Sequence, residues 1–271
     1  MKQTNYFITI QLFFLFLFYI GASVKAQEFY LTNTREILSG DKFTKPVWGP
    51  DGNSLLLTGQ YNRGLFQYNL QQQKIDTVDK NVRVKSKAVW LKSGEIICQK
   101  GNKPVAVFNL KTTDQGIADT LLIVNSQKKK IEAVCFPGEN RYEITPDEGL
   151  YYDPLISPNG KLAVIHLKSE MYLYSTNGSG LIRKLGIGIA SAWSPDSKFI
   201  FYFLDESKDG HSISNSDIYA VSVDGNNKQK LTESDSVFEM WPAISPDGKY
   251  IAFTDDKSGS IFISDLLKNK E

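Results

Sequence analysis

One short phrase recurs along the chain, and it constrains the fold more than any other feature. It reads Trp48-Gly49-Pro50-Asp51-Gly52, then Ile156-Ser157-Pro158-Asn159-Gly160, Trp193-Ser194-Pro195-Asp196-Ser197 and Ile244-Ser245-Pro246-Asp247-Gly248, with a degenerate copy at Trp90-Leu91-Lys92-Ser93-Gly94. Anchored on the proline, the copies fall at 50, 92, 158, 195 and 246, so their spacings are 42, 66, 37 and 51 residues. Repetition on this scale means one supersecondary unit used many times, and periods near 40 to 50 suit propeller blades of four strands. The phrase itself is turn chemistry. Proline presets φ, Asp or Asn bonds nearby backbone N–H groups, and glycine takes the left-handed conformation. Each copy therefore predicts a tight hairpin between two strands.

The flanking strands follow from the alternation. Three residues before the anchor stands a small or medium residue (Val47, Val89, Leu155, Ala192, Ala243), and two before it a large one (Trp48, Trp90, Ile156, Trp193, Ile244). That period of two is a strand signal. The small residues suit a crowded inner strand, and the large ones are expected to pack on the neighbouring blade. After each turn comes a continuous apolar run, such as Phe199-Ile200-Phe201-Tyr202-Phe203, as expected of a strand buried on both faces. A third strand follows each run, and a more polar fourth, such as Lys228 to Thr232, ends most units. The last unit stops after three strands, which would leave an open sheet edge. The stretch Arg35 to Ser39 resembles a fourth strand without a unit of its own, and is expected to close the ring by completing the final blade. Residues 114–152 span about one blade without a turn phrase, and read either as a worn sixth blade or as an inserted hairpin.

The phrases Ile244 to Phe253 with Ile261 to Asp265, and Trp193 to Ile200 with Asp217 to Val221, resemble the TolB-like (PD40, WD40-like) β-propeller repeat. The similarity covers most of residues 40 to 268. It implies an all-β propeller of six blades, five clear and one degenerate. The motif speaks to fold far more than to function.

Residues 1–26 read as a Sec-type signal peptide: Lys2 supplies a positive charge, Leu12 to Ile20 is uninterruptedly apolar, and Val24-Lys25-Ala26 offers a cleavage site after Ala26. The propeller would then be residues 27–271, periplasmic or secreted, with no stable membrane insertion. Without Lys2 and Lys25 the chain carries 29 basic and 30 acidic residues. That balance leaves no electrostatic footprint for nucleic acid. Lys128-Lys129-Lys130 reads as a solvated loop or insert. Cys98 and Cys135 allow a disulfide in an exported protein, or two free apolar thiols.

Catalytic signals are sparse. No pair of histidines has metal-ligand spacing, His166 reads as a structural residue in a strand, and no nucleophile elbow occurs. The run Asp205 to Gly210 lacks the full signature of a calcium loop. No cofactor is expected. The aspartates of the turns, Asp51, Asp196 and Asp247, read as turn caps. The face opposite the turn phrases is different, because the loops entering the inner strands surround the channel mouth there. Lys45, Lys87, Tyr152, Asp153 and Trp241 are placed at that rim, with Tyr61, Arg63 and Asp205 on adjoining loops. Cations, carboxylates and aromatics around one concavity make a binding site. The reading is a non-catalytic envelope module, monomeric, that docks a protein segment or small ligand at the channel mouth. The alternatives are a carbohydrate- or peptide-processing enzyme using rim carboxylates such as Asp153 and Asp205, and a structural scaffold.

Overall fold

The structure, a computed structural model, describes residues 28–40, 43–84, 88–91, 94–100, 102–108, 119–136 and 140–269. Residues 1–26, read above as a signal peptide, and Lys87 lie outside the described residues. Six antiparallel sheets follow one another along the chain. Their inner strands are Phe43–Trp48, Val89–Trp90, Asp119–Asn125, Tyr151–Ile156, Ile189–Trp193 and Glu239–Ile244, and all six face one central cavity. The chain is a six-bladed propeller.

Ring closure follows the expected route. The strand Phe29–Leu38 pairs antiparallel with Ile261–Lys268 and completes the sixth blade. It begins earlier than the sequence indicated, at Phe29, whose ring meets Phe199 and Phe201 of the fifth blade edge-on at 5.0 and 5.2 Å. The stretch between 114 and 152 holds a true third blade of three strands, Asp119–Asn125, Lys130–Phe136 and Asn140–Glu143. The worn-blade alternative is the right one.

The second strands are the core of each sheet. Ser54–Gly59 is buried at every position, and Phe199–Glu206 is buried from Phe199 to Phe203. Apolar clusters fill the gaps between neighbouring blades. Phe201, Ile218 and Phe253 join the fifth to the sixth, Trp48, Leu57 and Ala252 the sixth to the first, and Leu65, Ile96 and Cys98 the first to the second. Ile131, Ala163 and Ile165 join the third to the fourth, and Val164, Ile200 and Tyr202 the fourth to the fifth.

The turn phrases cap themselves. In the fifth blade Ser194 Oγ donates to Asp196 Oδ1 at 2.6 Å and accepts the Phe199 N–H at 2.9 Å, while Asp196 accepts the Lys198 N–H at 3.1 Å. Ser157 with Asn159 and Ser245 with Asp247 repeat the network in the fourth and sixth blades. The first blade has Gly49 at the serine position. A Cβ there would lie 2.3 Å from Ser54 Oγ, which takes over the bond to Asp51. The hydroxyl has moved to the other end of the hairpin, and its old place must stay empty.

Both cysteines are free thiols, so the disulfide alternative is not realised. Burial pushes the Cys98 thiol up to about 12, with Asp79 adding to the rise, so it stays protonated and inert. Lys128 and Lys130 both pair with Glu143, and Lys129 with Glu148, in an exposed turn.

Candidate functional site: the central channel

The cavity at the hub has a volume of about 550 Å³, within the range of about 300–1,000 Å³ typical of small-molecule pockets. Its wall is mainly apolar: Val47, Trp48, Trp90, Leu122, Leu155, Ile156, Trp193 and Ile244 all contribute. The small residues of the alternation, Ala192 and Ala243, also line it and leave the hub open.

Three blades enter the hub in the same unusual way. Lys45, Asp153 and Trp241 have φ of 53°, 38° and 57°, and each precedes a proline, Pro46, Pro154 or Pro242. The register with the second strand slips at each of these places, between Thr44 and Val47, Tyr152 and Leu155, and Met240 and Ala243. A left-handed non-glycine residue before proline is strained, by roughly 1–3 kcal/mol. The strain is held at equivalent positions of the first, fourth and sixth blades. The bulge also re-aims the side chain that carries it.

Two of these side chains meet at the edge of the cavity, which the third also lines. Asp153 and Trp241 line it, and Lys45 Nζ sits 4.5 Å from the centroid of the Trp241 ring. Phe203 backs the indole at 4.8 Å. Lys45 is only 9% exposed, and burial lowers its ammonium below the usual lysine range, with Asp153 countering part of the shift.

His166 fixes this geometry. It is fully buried, and its Nδ1 lies 3.3 Å and 3.0 Å from the carbonyl oxygens of Tyr152 and Asp153. Its Nε2 accepts the Ala190 N–H at 2.8 Å. Nδ1 is therefore the protonated nitrogen, and the neutral ring bridges the bulge of the fourth blade to the inner strand of the fifth. Burial lowers its basicity. Its role is structural, as the sequence suggested.

The other described rim residues, Tyr152, Tyr61, Arg63 and Asp205, do not line the cavity. Tyr152 stacks on His166 and donates its hydroxyl to the Lys168 carbonyl, away from the hub. Tyr61 is 94% exposed and borders a smaller cavity of about 320 Å³ with Thr44, Thr254 and Asp256. Arg63 is exposed at the start of the third strand of the first blade. Asp205 is exposed near the end of a second strand and raises the Tyr152 hydroxyl and the Asp256 carboxyl electrostatically, in each case less than burial does. Asp209 caps its own loop, accepting the His211 and Ser212 N–H groups, which hold its carboxyl down at about 2. Among the described residues no group of three His, Cys, Asp or Glu is placed to hold a metal, and no helix is long and apolar enough to cross a membrane.

One buried carboxyl was not singled out in the sequence. Glu239 is 5% exposed at the start of the inner strand of the sixth blade, and its Oε2 has no partner among the described residues. Burial pushes it up to about 7, with Asp217 and Asp255 adding repulsion. Nothing local in the sequence marks it, because its surroundings are residues distant in sequence.

No family model matches the chain. A TolB homolog from Chlorobium luteolum is 26% identical over 146 residues, which is 51% of this chain and 32% of that protein. A TolB homolog from Chlorobaculum tepidum is 51% identical over 45 residues, 17% of this chain and 10% of its own length. The chain thus spans about a third of the first relative and a tenth of the second. Among solved structures, a gluconolactonase from Xanthomonas campestris superposes with a TM-score of 0.58 at 9% identity, covering 88% of this chain and 91% of that one. A regucalcin described as calcium-binding, from Agrobacterium tumefaciens, gives 0.57 at 11% identity, covering 87% and 94%. At these identities the likeness is one of fold. The propeller is TolB-like in sequence, and propellers of this shape include enzymes.

Proposed function

We propose that this propeller is an exported, non-catalytic binding module of the cell envelope, whose ligand or partner segment enters the central channel at the Lys45–Asp153–Trp241 end. The observation that carries this reading is the channel itself. Three strained bulges bring a cation, a carboxylate and an aromatic ring to the mouth of a largely apolar cavity. Such a constellation orients a guest, and its polar groups supply fixed charge and a flat surface. Acid–base work is less well supported. Asp205 is exposed at the end of its strand and does not line the cavity that Asp153 lines. Export rests on the apolar leader and the Val24-Lys25-Ala26 site, and predicts a mature protein beginning at Gln27.

The test places a photo-crosslinking residue at position 241, and in a control at the exposed outer-strand position Ile182, in protein expressed with its leader. Adducts in the envelope fraction from position 241 alone, from a protein whose sequenced N-terminus is Gln27, are expected. Equal labelling from both positions would overturn the channel as the site. Turnover of a glycan or peptide panel that disappears in Asp153→Asn or Asp205→Asn would replace the binding module with an enzyme.

A further inference from the structure

The channel mouth is charged unevenly across its width. Its buried cation is Lys45, from the first blade. Its carboxylate is Asp153, from the fourth blade, which is three places round a ring of six and therefore opposite. Among the described residues no carboxylate lies within 4.0 Å of Lys45 Nζ, and no acceptor hydrogen-bonds it; its neighbour is the Trp241 face. The Asp153 carboxylate likewise has no ion pair or hydrogen-bond donor among the described residues, although its backbone carbonyl is held by His166. Opposite charges brought into one poorly hydrated space normally close into a pair, because an unpaired buried charge is costly. Here half-buried Asp153 lines the cavity, Lys45 reaches its edge over the face of Trp241, which lines it too, and the two charges stay unpaired, each on a left-handed residue before a proline.

A guest must fit both charges. A monoanion that satisfied Lys45 would approach Asp153, and a monocation that satisfied Asp153 would approach Lys45. A neutral apolar guest would desolvate both and pair neither. A zwitterion pairs both at once through charge-assisted hydrogen bonds. The wall behind the charges, with Val47, Leu122, Leu155 and the indoles of Trp90 and Trp193, takes an apolar or aromatic body.

We infer that the channel, as the binding site proposed above, takes apolar α-amino acids as zwitterions: the carboxylate on Lys45, the ammonium on Asp153, and the side chain among the indoles of the hub. This inference rests on the binding-module reading and names its ligand class.

Calorimetric titration of the full chain tests it with four probes: L-phenylalanine, N-acetyl-L-phenylalanine, which lacks the ammonium, L-phenylalaninamide, which lacks the carboxylate, and 2-phenylethanol, which lacks both. The pH is set so that the amide's amine is charged. L-Phenylalanine is expected to bind about tenfold or more tighter than either singly blocked probe. Lys45→Met should erase the preference over the amide and keep that over the acetyl derivative; Asp153→Asn should do the reverse. Lys45→Arg, which keeps the charge, should keep the wild-type ranking and controls for misfolding, together with unchanged thermal unfolding. Equal affinity for all four probes, no heat with phenylalanine, or a ranking that Lys45→Met leaves intact would overturn the inference. If phenylalanine fails while position 241 still crosslinks a partner, the ligand class falls and the binding module stands. If both fail, both readings fall.

Discussion

Between the fifth and sixth blades the contact is mainly aromatic, with one buried side-chain bond, Ser216 Oγ donating to the Glu239 carbonyl at 3.0 Å. Phe29, Phe199, Phe201 and Phe253 fill it, each no more than 6% exposed. Between the second and third blades the described contact is polar. There Gln99 lies beside the inner strand of the third blade, its Nε2 donating to the Val124 carbonyl at 2.6 Å and its Oε1 accepting the Val124 N–H at 3.0 Å. Asn102 adds a bond to the Ser126 N–H and accepts from Arg141. The two joints solve the same problem, holding one sheet against the next, with different physics. Apolar burial scales with area and tolerates small shifts. A side-chain amide that imitates a strand edge works only at hydrogen-bond distance, and leaves partly buried backbone groups unpaired when it fails. The joint made of rings lies between blades whose turns are capped by serine and aspartate. The joint made of amides follows a second blade whose turn has the backbone bonds Leu91 N–H to Glu95 and Gly94 N–H to Leu91 among the described residues.

The largest effect is expected where the aromatic joint conceals a carboxyl. Glu239 carries a folded pKa of about 7 against 4.5 for the free group, so the native state holds its proton more tightly than the unfolded one. Stability from this group is fully present below about 4.5 and is lost as pH rises through 7, on the order of 3 kcal/mol in total. Glu239→Gln makes the neutral form permanent. Its stability relative to wild type should rise with pH across that window, read by urea unfolding at pH 5 and pH 8. His166, whose basicity burial lowers, contributes the opposite slope as its unfolded form gains a proton at low pH. The difference between variant and wild type, and not either slope alone, therefore carries the result. A flat difference would mean that water reaches Glu239 in this joint.

The polar joint should yield next. Gln99→Met keeps the volume of the side chain and removes both bonds to Val124, at a cost of about 2 kcal/mol. Amide hydrogen exchange should accelerate at Val124 and stay unchanged at Phe201. Equal acceleration at both would mean that the ring opens as one cooperative unit, which would dissolve the contrast between joints.

Those contrasts also show what could be read in advance. The turn phrases, the buried second strands and the closing strand were legible because strand alternation and turn chemistry are local, and the hub residues Lys45, Asp153 and Trp241 could be placed by counting back from the proline anchor. The third blade was only half legible, because its first turn, Ser126 to Lys129, lacks the phrase and the blade is held by other bonds: buried Glu132 pairs with Lys128 at 2.8 Å and Arg141 at 3.8 Å, and Thr145 accepts the Ile131 N–H at 3.0 Å. Tyr61 was assigned to the rim by its loop, but its own left-handed turn, φ 55°, accompanies a side chain that stands out in solvent. Glu239 was invisible, since its environment is made by residues distant in sequence, Asp217 of the adjoining blade and Asp255 across the sheet.

The smallest effect tests the comparison at a single atom. Trp48 donates its indole N–H to the Ala243 carbonyl of the preceding blade at 3.0 Å, and Trp193 to Leu155 at 3.2 Å. Trp90 occupies the same place in the repeat, two residues before the anchor position, yet its buried Nε1 has no partner among the described residues. The inner strand that carries it is two residues long, against five for the strand that carries Trp193. A short strand leaves the indole without the register that would bring it to a neighbour's carbonyl. Replacing each tryptophan by phenylalanine removes the same atoms and a similar volume. At 193 the change also breaks a hydrogen bond and orphans a carbonyl, whereas at 90 it removes an unsatisfied donor. Trp193→Phe should therefore be the more destabilising of the two by about 1 kcal/mol in equilibrium unfolding. If the order reverses, Trp90 has an acceptor in solution, and the second blade is bound into the ring by the same device as the fifth.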